Sequence, residues 1–211
     1  MSVLFDIHPD NPQQRLIYQA ALIIKEGGLV AVPTDSGYAV VARLDDSEAA
    51  KRLRKIRGLD ERHLLTLLCR DLSEIAHFAR VDNQQYRLLK LATPGPWTFI
   101  LEASKEVPRR VSHPSRKTIG IRVPQHKVLL ALIKEVGTAL LSTSFIPEDG
   151  KDPFVDYEDF IEDYKAQLDG IVAAGNVLDA PTTVIDLSGK APEVIRLGSG
   201  DPRQLGIEVT E

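Results

Sequence analysis

The stretch VPTDSGYAV, Val32 to Val40, is an apolar run that turns to hydroxyls and a carboxylate before becoming apolar again. Two other segments share that change of character: Ala139-Leu140-Leu141 runs into Ser142-Thr143-Ser144, and Thr182-Thr183 opens a late apolar stretch. Hydroxyls and backbone amides clustered at strand ends are how many α/β proteins hold small anionic or zwitterionic molecules. Any one of these hydroxyls can equally cap a loop, but the three sets together suggest a polar crevice. Lys55 and Arg57 stand with one residue between them at the end of an expected helix. There they can complement the helix dipole or bind phosphate. Arginine offers two parallel bonds to phosphate oxygens and lysine a point charge, so a nucleotide is a sensible guest for a crevice edged by this pair.

Other chemistries find little support. The chain has neither a Gly-rich loop followed by Lys-Ser/Thr nor a G-x-G-x-x-G after a strand. His8, His63, His77, His113 and His126 show no metal-ligand spacing with cysteine or acid, so no metal site is expected. No serine lies in a nucleophile elbow, which argues against covalent acyl catalysis. The lone Cys69, inside LLTLLC, reads as a small buried hydrophobe.

The elements that must position these groups follow from punctuation and period. Asp10-Asn11-Pro12 reads as a helix start, with Leu16, Ile17, Ala20 and Ile24 at helical spacing and Gly27-Gly28 as the stop. Leu29 to Pro33 and Gly37 to Arg43 read as strands folded back on each other by a turn at Asp35-Ser36-Gly37. Asp45-Asp46-Ser47 caps a helix that reaches Arg57 and ends at Gly58. Further strands are expected at 64–69, 97–103, 117–123, 139–144, 170–174, 182–187 and 193–197, and helices at 71–79, 82–92, 128–136 and 157–165. Several neighbouring strands lack a helix between them, so the sheet should be mixed.

Composition sets the frame. With 211 residues, 43% hydrophobic and 27% charged, one domain spanning 1–211 is the expectation. Neither a signal peptide nor an apolar membrane span is recognisable, which points to the cytoplasm and to no membrane partner. The net charge of −4 argues for no general nucleic-acid role, yet the charge is uneven. Lys51 to Arg57 holds five bases and no acid, while Arg109, Arg110, His113, Arg116 and Lys117 form a second basic stretch, and the two could face one anion. Glu148 to Asp169 carries nine acids and reads as a solvated loop and helix face.

Taken in order, VPTDSGYAV, KIR, LLTLLCRD, TPGPWTFIL, GIRVPQH, LLSTS, PTTVIDL and VIRLGSG resemble the YrdC/YciO family of threonylcarbamoyl-AMP synthases, closest to the YciO branch. The resemblance implies an α/β fold with a twisted, open, mixed sheet flanked by helices, YrdC/RibB-like, with a concave basic surface. It also implies a reaction of L-threonine, bicarbonate and ATP, with Mg2+, to give L-threonylcarbamoyl-AMP and pyrophosphate for the modification of an adenosine in tRNA. Carried over by motif, the nucleotide falls to Lys55, Arg57, Thr98, Thr143, Ser144 and Arg196. Threonine falls to Thr34, Ser36, His63, Ser142 and Thr182. Where the family has a small residue and an asparagine after the strand-end serine, this chain has Phe145 and Ile146, so a polar contact is lost and a bulky ring is expected in its place. Such a reaction requires no enzymatic nucleophile, since positioning and charge neutralisation can supply most of the catalysis. Two rival readings stay open: a module binding tRNA or double-stranded RNA in the same basic concavity without turnover, and a small-molecule binding protein that has kept the crevice and lost the reaction.

Overall fold

The structure, a computed structural model, describes residues 2–175 and 177–209. Along the chain run β1 (Val3–Asp6), α1 (Gln14–Lys25), β2 (Val30–Thr34), β3 (Gly37–Arg43), α2 (Ser47–Ile56), β4 (Thr66–Leu68), α3 (Leu72–Phe78), α4 (Asn83–Ala92) and β5 (Trp97–Glu102). They continue with β6 (Thr118–Arg122), α5 (Lys127–Val136), β7 (Leu140–Ser144), α6 (Glu158–Tyr164), β8 (Gly170–Ala173), β9 (Thr183–Asp186) and β10 (Glu193–Arg196). All ten strands join one mixed sheet in the order β1-β8-β2-β3-β7-β4-β6-β5-β9-β10.

Side chains alternate across a strand, so each strand presents one set of residues to each face. On one face, Leu65, Leu67, Phe99, Ile119, Ile121, Leu141 and Ile185 join the larger apolar cluster, together with residues of α2, α3, α4 and α6. On the other, α1 and α5 pack against each other and over β8, β2, β3 and the start of β7 through Ile17, Ile24, Leu129, Leu132, Val30, Val41 and Leu140. Those two helices cover only part of their face. Beyond them, toward β9, the exposed set of side chains turns polar, and this is the surface that carries the site.

One expectation needs correction, and one strand went unread. The first helix begins at Gln14, not at Pro12. His8 Nδ1 accepts the backbone N–H groups of Asp10 (3.2 Å) and Asn11 (3.1 Å), and the Asp10 carboxylate takes Lys127 Nζ at 2.8 Å instead of capping. The strand β1 was not legible at all. It is four residues long at the sheet edge, with Val3 48% and Leu4 44% exposed, so it has no alternation to read.

Candidate functional site

Two residues, Asp35 and Ser36, make the tight turn between β2 and β3, whose register closes at Thr34 opposite Gly37. Thr34 Oγ1 accepts the Ser36 N–H (2.9 Å) and donates to Gly37 O (2.7 Å), so its hydroxyl is spent inside the turn. Gly37 has φ +96, and an added Cβ would lie 2.5 Å from Pro153 Cβ, so both backbone and neighbour demand glycine. The polar break in VPTDSGYAV is therefore first a turn. Its outward groups then hold a cation: Arg122 Nη1 donates to Ser36 Oγ at 2.6 Å, and Nη2 makes an ion pair with Asp35.

Arg122 stands in β6 on the side facing the open part of the sheet, 7% exposed. The neighbouring position on that face is Gly120, where a Cβ would come within 2.7 Å of Thr66 Oγ1, so glycine keeps the floor low beside the arginine. Around them lies a hollow of about 320 Å³ that crosses six strands, with Ala39, Thr66, Leu68, Thr98, Ile100, Ser142, Ser144, Thr182 and Val184 in or beside its floor. The pairs 66/68, 98/100, 142/144 and 182/184 are each two residues apart, as period-2 strands require. Arg57, His63, Leu64, Thr143, Ile146, Ile195 and Arg196 complete the wall. None of the lining residues is a carboxylate.

Each arginine is held by the fold. Arg57, at the C-cap of α2, donates Nη1 to Ile146 O at 2.6 Å, while its Nε is buried without a partner. Arg122 Nε is likewise buried and unpartnered. Arg196, at the end of β10, donates Nη2 to Thr182 O at 2.9 Å, and the Thr182 hydroxyl lies 2.8 Å from that of Thr98. Burial lowers the pKa of Arg57 and Arg122 from the ordinary arginine value, with Asp35 opposing the fall at Arg122. Both remain cations, because an arginine side chain does not give up its proton in proteins. Burial and the adjacent Arg57 and Arg54 also push His63 below the usual imidazole range.

Of the residues expected to form a site, eight meet on this hollow: Arg57, His63, Thr98, Ser142, Thr143, Ser144, Thr182 and Arg196. Three do not. Thr34 and Ser36 stand behind Arg122 rather than on the wall, and Lys55 is exposed on α2 away from it. The basic run from Lys51 to Arg57 is divided by its helical period. Lys51 pairs with Glu48, Arg52 pairs with Asp169, and Arg54 is buried with Nη1 donating to Asp60 O and His63 O, both at 2.9 Å. Only Arg57 of the five reaches the wall, and the second basic stretch supplies none of it. The two runs therefore do not share one anion there.

Phe145 also requires correction, since its ring is fully buried with Phe154, Phe160 and Tyr164, at centroid distances of 5.0, 4.7 and 4.8 Å, and does not enter the hollow. It anchors the acidic segment through the core, and Ile146 alone faces the site. The largest contributor missed in the sequence is Arg122. Its signal was one charged residue in the strand Thr118-Ile119-Gly120-Ile121-Arg122, all five of whose residues are buried.

The family model for Sua5, YciO and YrdC, described as telomere recombination, matches residues 22–198. YciO of Escherichia coli K12 is 47% identical over 201 residues, 95% of this chain and 98% of its own. Its crystal structure superposes with a TM-score of 0.94, covering 97% of this chain and 100% of that one. A threonylcarbamoyl-AMP synthase of Halorhodospira halophila is 32% identical over 140 residues, 66% of this chain and 73% of its own. The crystal structure of Pyrococcus abyssi Sua5 complexed with L-threonine gives a TM-score of 0.86 at 27% identity, covering 93% of this chain and 58% of the longer Sua5 chain.

Proposed function

This chain belongs to the Sua5/YciO/YrdC family, and from that premise we propose that it joins L-threonine, bicarbonate and ATP into L-threonylcarbamoyl-AMP, releasing pyrophosphate. The observation that carries this reading is a carboxylate-free hollow walled by three arginines, two of which keep a buried, unpartnered Nε. An orphaned buried donor costs about 1–3 kcal/mol. Oxygens of a carboxylate or a phosphate entering the hollow would meet the guanidinium groups that line it in charge-assisted hydrogen bonds.

In the proposed reaction the threonine amine attacks the carbon of bicarbonate, water leaves, and the resulting carbamate oxygen attacks the α-phosphorus of ATP. The bond from the α-phosphorus to the bridging oxygen breaks, and pyrophosphate departs. Arg57 and Arg196 neutralise phosphate charge, and Thr98, Thr143 and Ser144 align the nucleotide. Ser142, Thr182 and a neutral His63 orient threonine, whose carboxylate meets Arg122. Thr34 and Ser36 act one step back, by fixing Arg122. Transfer through this arrangement depends on orientation and charge, with no covalent enzyme intermediate. Among the described residues no three His, Cys, Asp or Glu side chains gather as a metal cage would need. Mg2+ is accordingly assigned to the triphosphate, which brings it in with its own oxygens and water.

Incubating the purified protein with ATP, Mg2+, L-threonine and bicarbonate should release pyrophosphate and yield threonylcarbamoyl-AMP by mass spectrometry. Pyrophosphate release no greater than in a control lacking threonine overturns the proposal. The same hollow binding duplex RNA, without adenylate, would favour the RNA-binding alternative.

A further inference from the structure

Arg54 and Arg57 stand one helical turn apart at the end of α2, on one side of the helix. Arg57 reaches the wall of the hollow. Arg54 is buried, 8% exposed, and its guanidinium turns to the loop that follows, residues 58–63. A buried guanidinium is ordinarily answered by a carboxylate, because an unpaired charge taken out of water is costly. Here none answers it: among the described residues its hydrogen bonds are those of Nη1 to Asp60 O and His63 O, both at 2.9 Å. The Asp60 carboxylate is turned instead to the backbone, where Oδ1 accepts the N–H groups of Arg62 and His63, each at 2.9 Å. Burial lowers the Arg54 pKa, with Glu61 and Asp60 opposing the fall, and the group stays a cation.

Both carbonyls belong to the one loop that carries His63 to the hollow. The His63 ring makes no hydrogen bond among the described residues, so its backbone alone aims it. Stability is a poor reason for such an arrangement, since an apolar side chain of like volume commonly does as well in place of a buried charge. We propose that Arg54 is a positioning residue: by gripping the carbonyls of Asp60 and His63 it fixes where the His63 ring stands against the amino acid in the hollow. This assignment rests on the reading of His63 as a group that orients threonine. Arg54 also acts on the ring through its charge. His63 is faced by Arg57 and Arg54 from α2 and by Asp60 from its own loop; burial does most to lower its pKa, the two arginines add to the fall, and Asp60 opposes it. A neutral ring can accept a hydrogen bond from the threonine ammonium, whereas an imidazolium would repel it.

The test pairs Arg54→Met, which keeps an unbranched stem and drops the charge, with Arg54→Lys, which keeps the charge and drops the fork. KM is measured for threonine and for ATP, each with the other substrate saturating, and the His63 ring is followed by NMR against pH. With methionine, KM for threonine should rise about tenfold or more while KM for ATP stays within about twofold, because the loop is misplaced and Arg57 and Arg196 are untouched. His63 should then titrate nearer its ordinary 6.5. With lysine, His63 should titrate as in the parent, and KM for threonine should rise about threefold, the size of one neutral hydrogen bond. Both variants should melt within a few degrees of the parent. A threonine KM equal in all three proteins, threonine and ATP values that move together, or a His63 titration that methionine leaves unchanged overturns the proposal. Should the methionine variant not fold, the lysine variant decides alone, and a threonine KM equal to the parent's overturns it. If the parent makes no adenylate, the reaction reading falls, and the His63 titrations still decide whether Arg54 holds the loop.

Discussion

Arg122 concentrates more of this site's physics than any other residue. It is a buried cation answered by one carboxylate and one hydroxyl, with a donor left over. Arg122→Lys keeps the charge against Asp35 but loses the fork. Threonine and ATP affinity, measured by calorimetry, should fall about 10- to 100-fold, the size of one or two charge-assisted hydrogen bonds, with little change in melting temperature. Asp35→Ala is expected to behave differently, because it strands the buried guanidinium. About 3–5 kcal/mol of stability should be lost in urea unfolding, and a loss under 1 kcal/mol would contradict this account. At this scale the sequence was legible where side-chain chemistry suffices, as with the paired hydroxyls of Thr98 and Thr182. It misled where a hydroxyl serves the backbone, as at Thr34, or where helical rotation decides direction, as at Lys55.

Elements decide which way a side chain points, and β7 gives the clearest case. Ser142 and Ser144 face the hollow, so by alternation Leu141 and Phe145 must face the core, and Ile146 returns to the site side. Read with that parity, Phe145 is recognisable in the sequence as an anchor and not an intruder. Phe145→Ala should cost about 3–5 kcal/mol and release segment 148–169 to protease, while leaving the arginines in place. Helix α5 offers a second test. His126 Nδ1 accepts Leu129 N–H at 3.4 Å as its N-cap, which only a nitrogen without a proton can do. Burial holds His126 below its usual 6.5, with Asp35 opposing and Arg122 adding to the fall, and His63 is lowered likewise. Above pH 6.5 both folded and unfolded forms are neutral and stability is full. As pH drops below that value the unfolded chain takes up protons that the folded chain refuses, so stability declines until the lowered folded values are passed. His126→Asn, which caps at any pH, should flatten that acid slope in chemical unfolding series without abolishing it, since His63 remains.

At the level of the whole molecule, the hollow exists because α1 and α5 shelter only part of one sheet face, while four helices share the other. Mixed sheet and interleaved helices followed from the sequence, but the strand order did not. Local pattern says where strands are, whereas partners such as β5 with β9 or β1 with β8 are chosen by long-range packing that no short window contains. A ligand that spans strands so distant must also tie them together. ATP supplied at about 100 times its Kd should raise unfolding free energy by about 2.7 kcal/mol, and Arg57→Ala should remove most of that gain.

The Thr98–Thr182 contact joins residues 84 positions apart, and this fixes when the protein becomes competent during its own synthesis. At about 5–20 residues per second, a nascent chain has long emerged through β7 before the last strands appear, and until then one bank of the basin is missing. Ribosome-bound chains halted just before residue 180 should therefore show protease-resistant early strands yet capture no nucleotide, with capture returning only once Arg196 has cleared the exit tunnel.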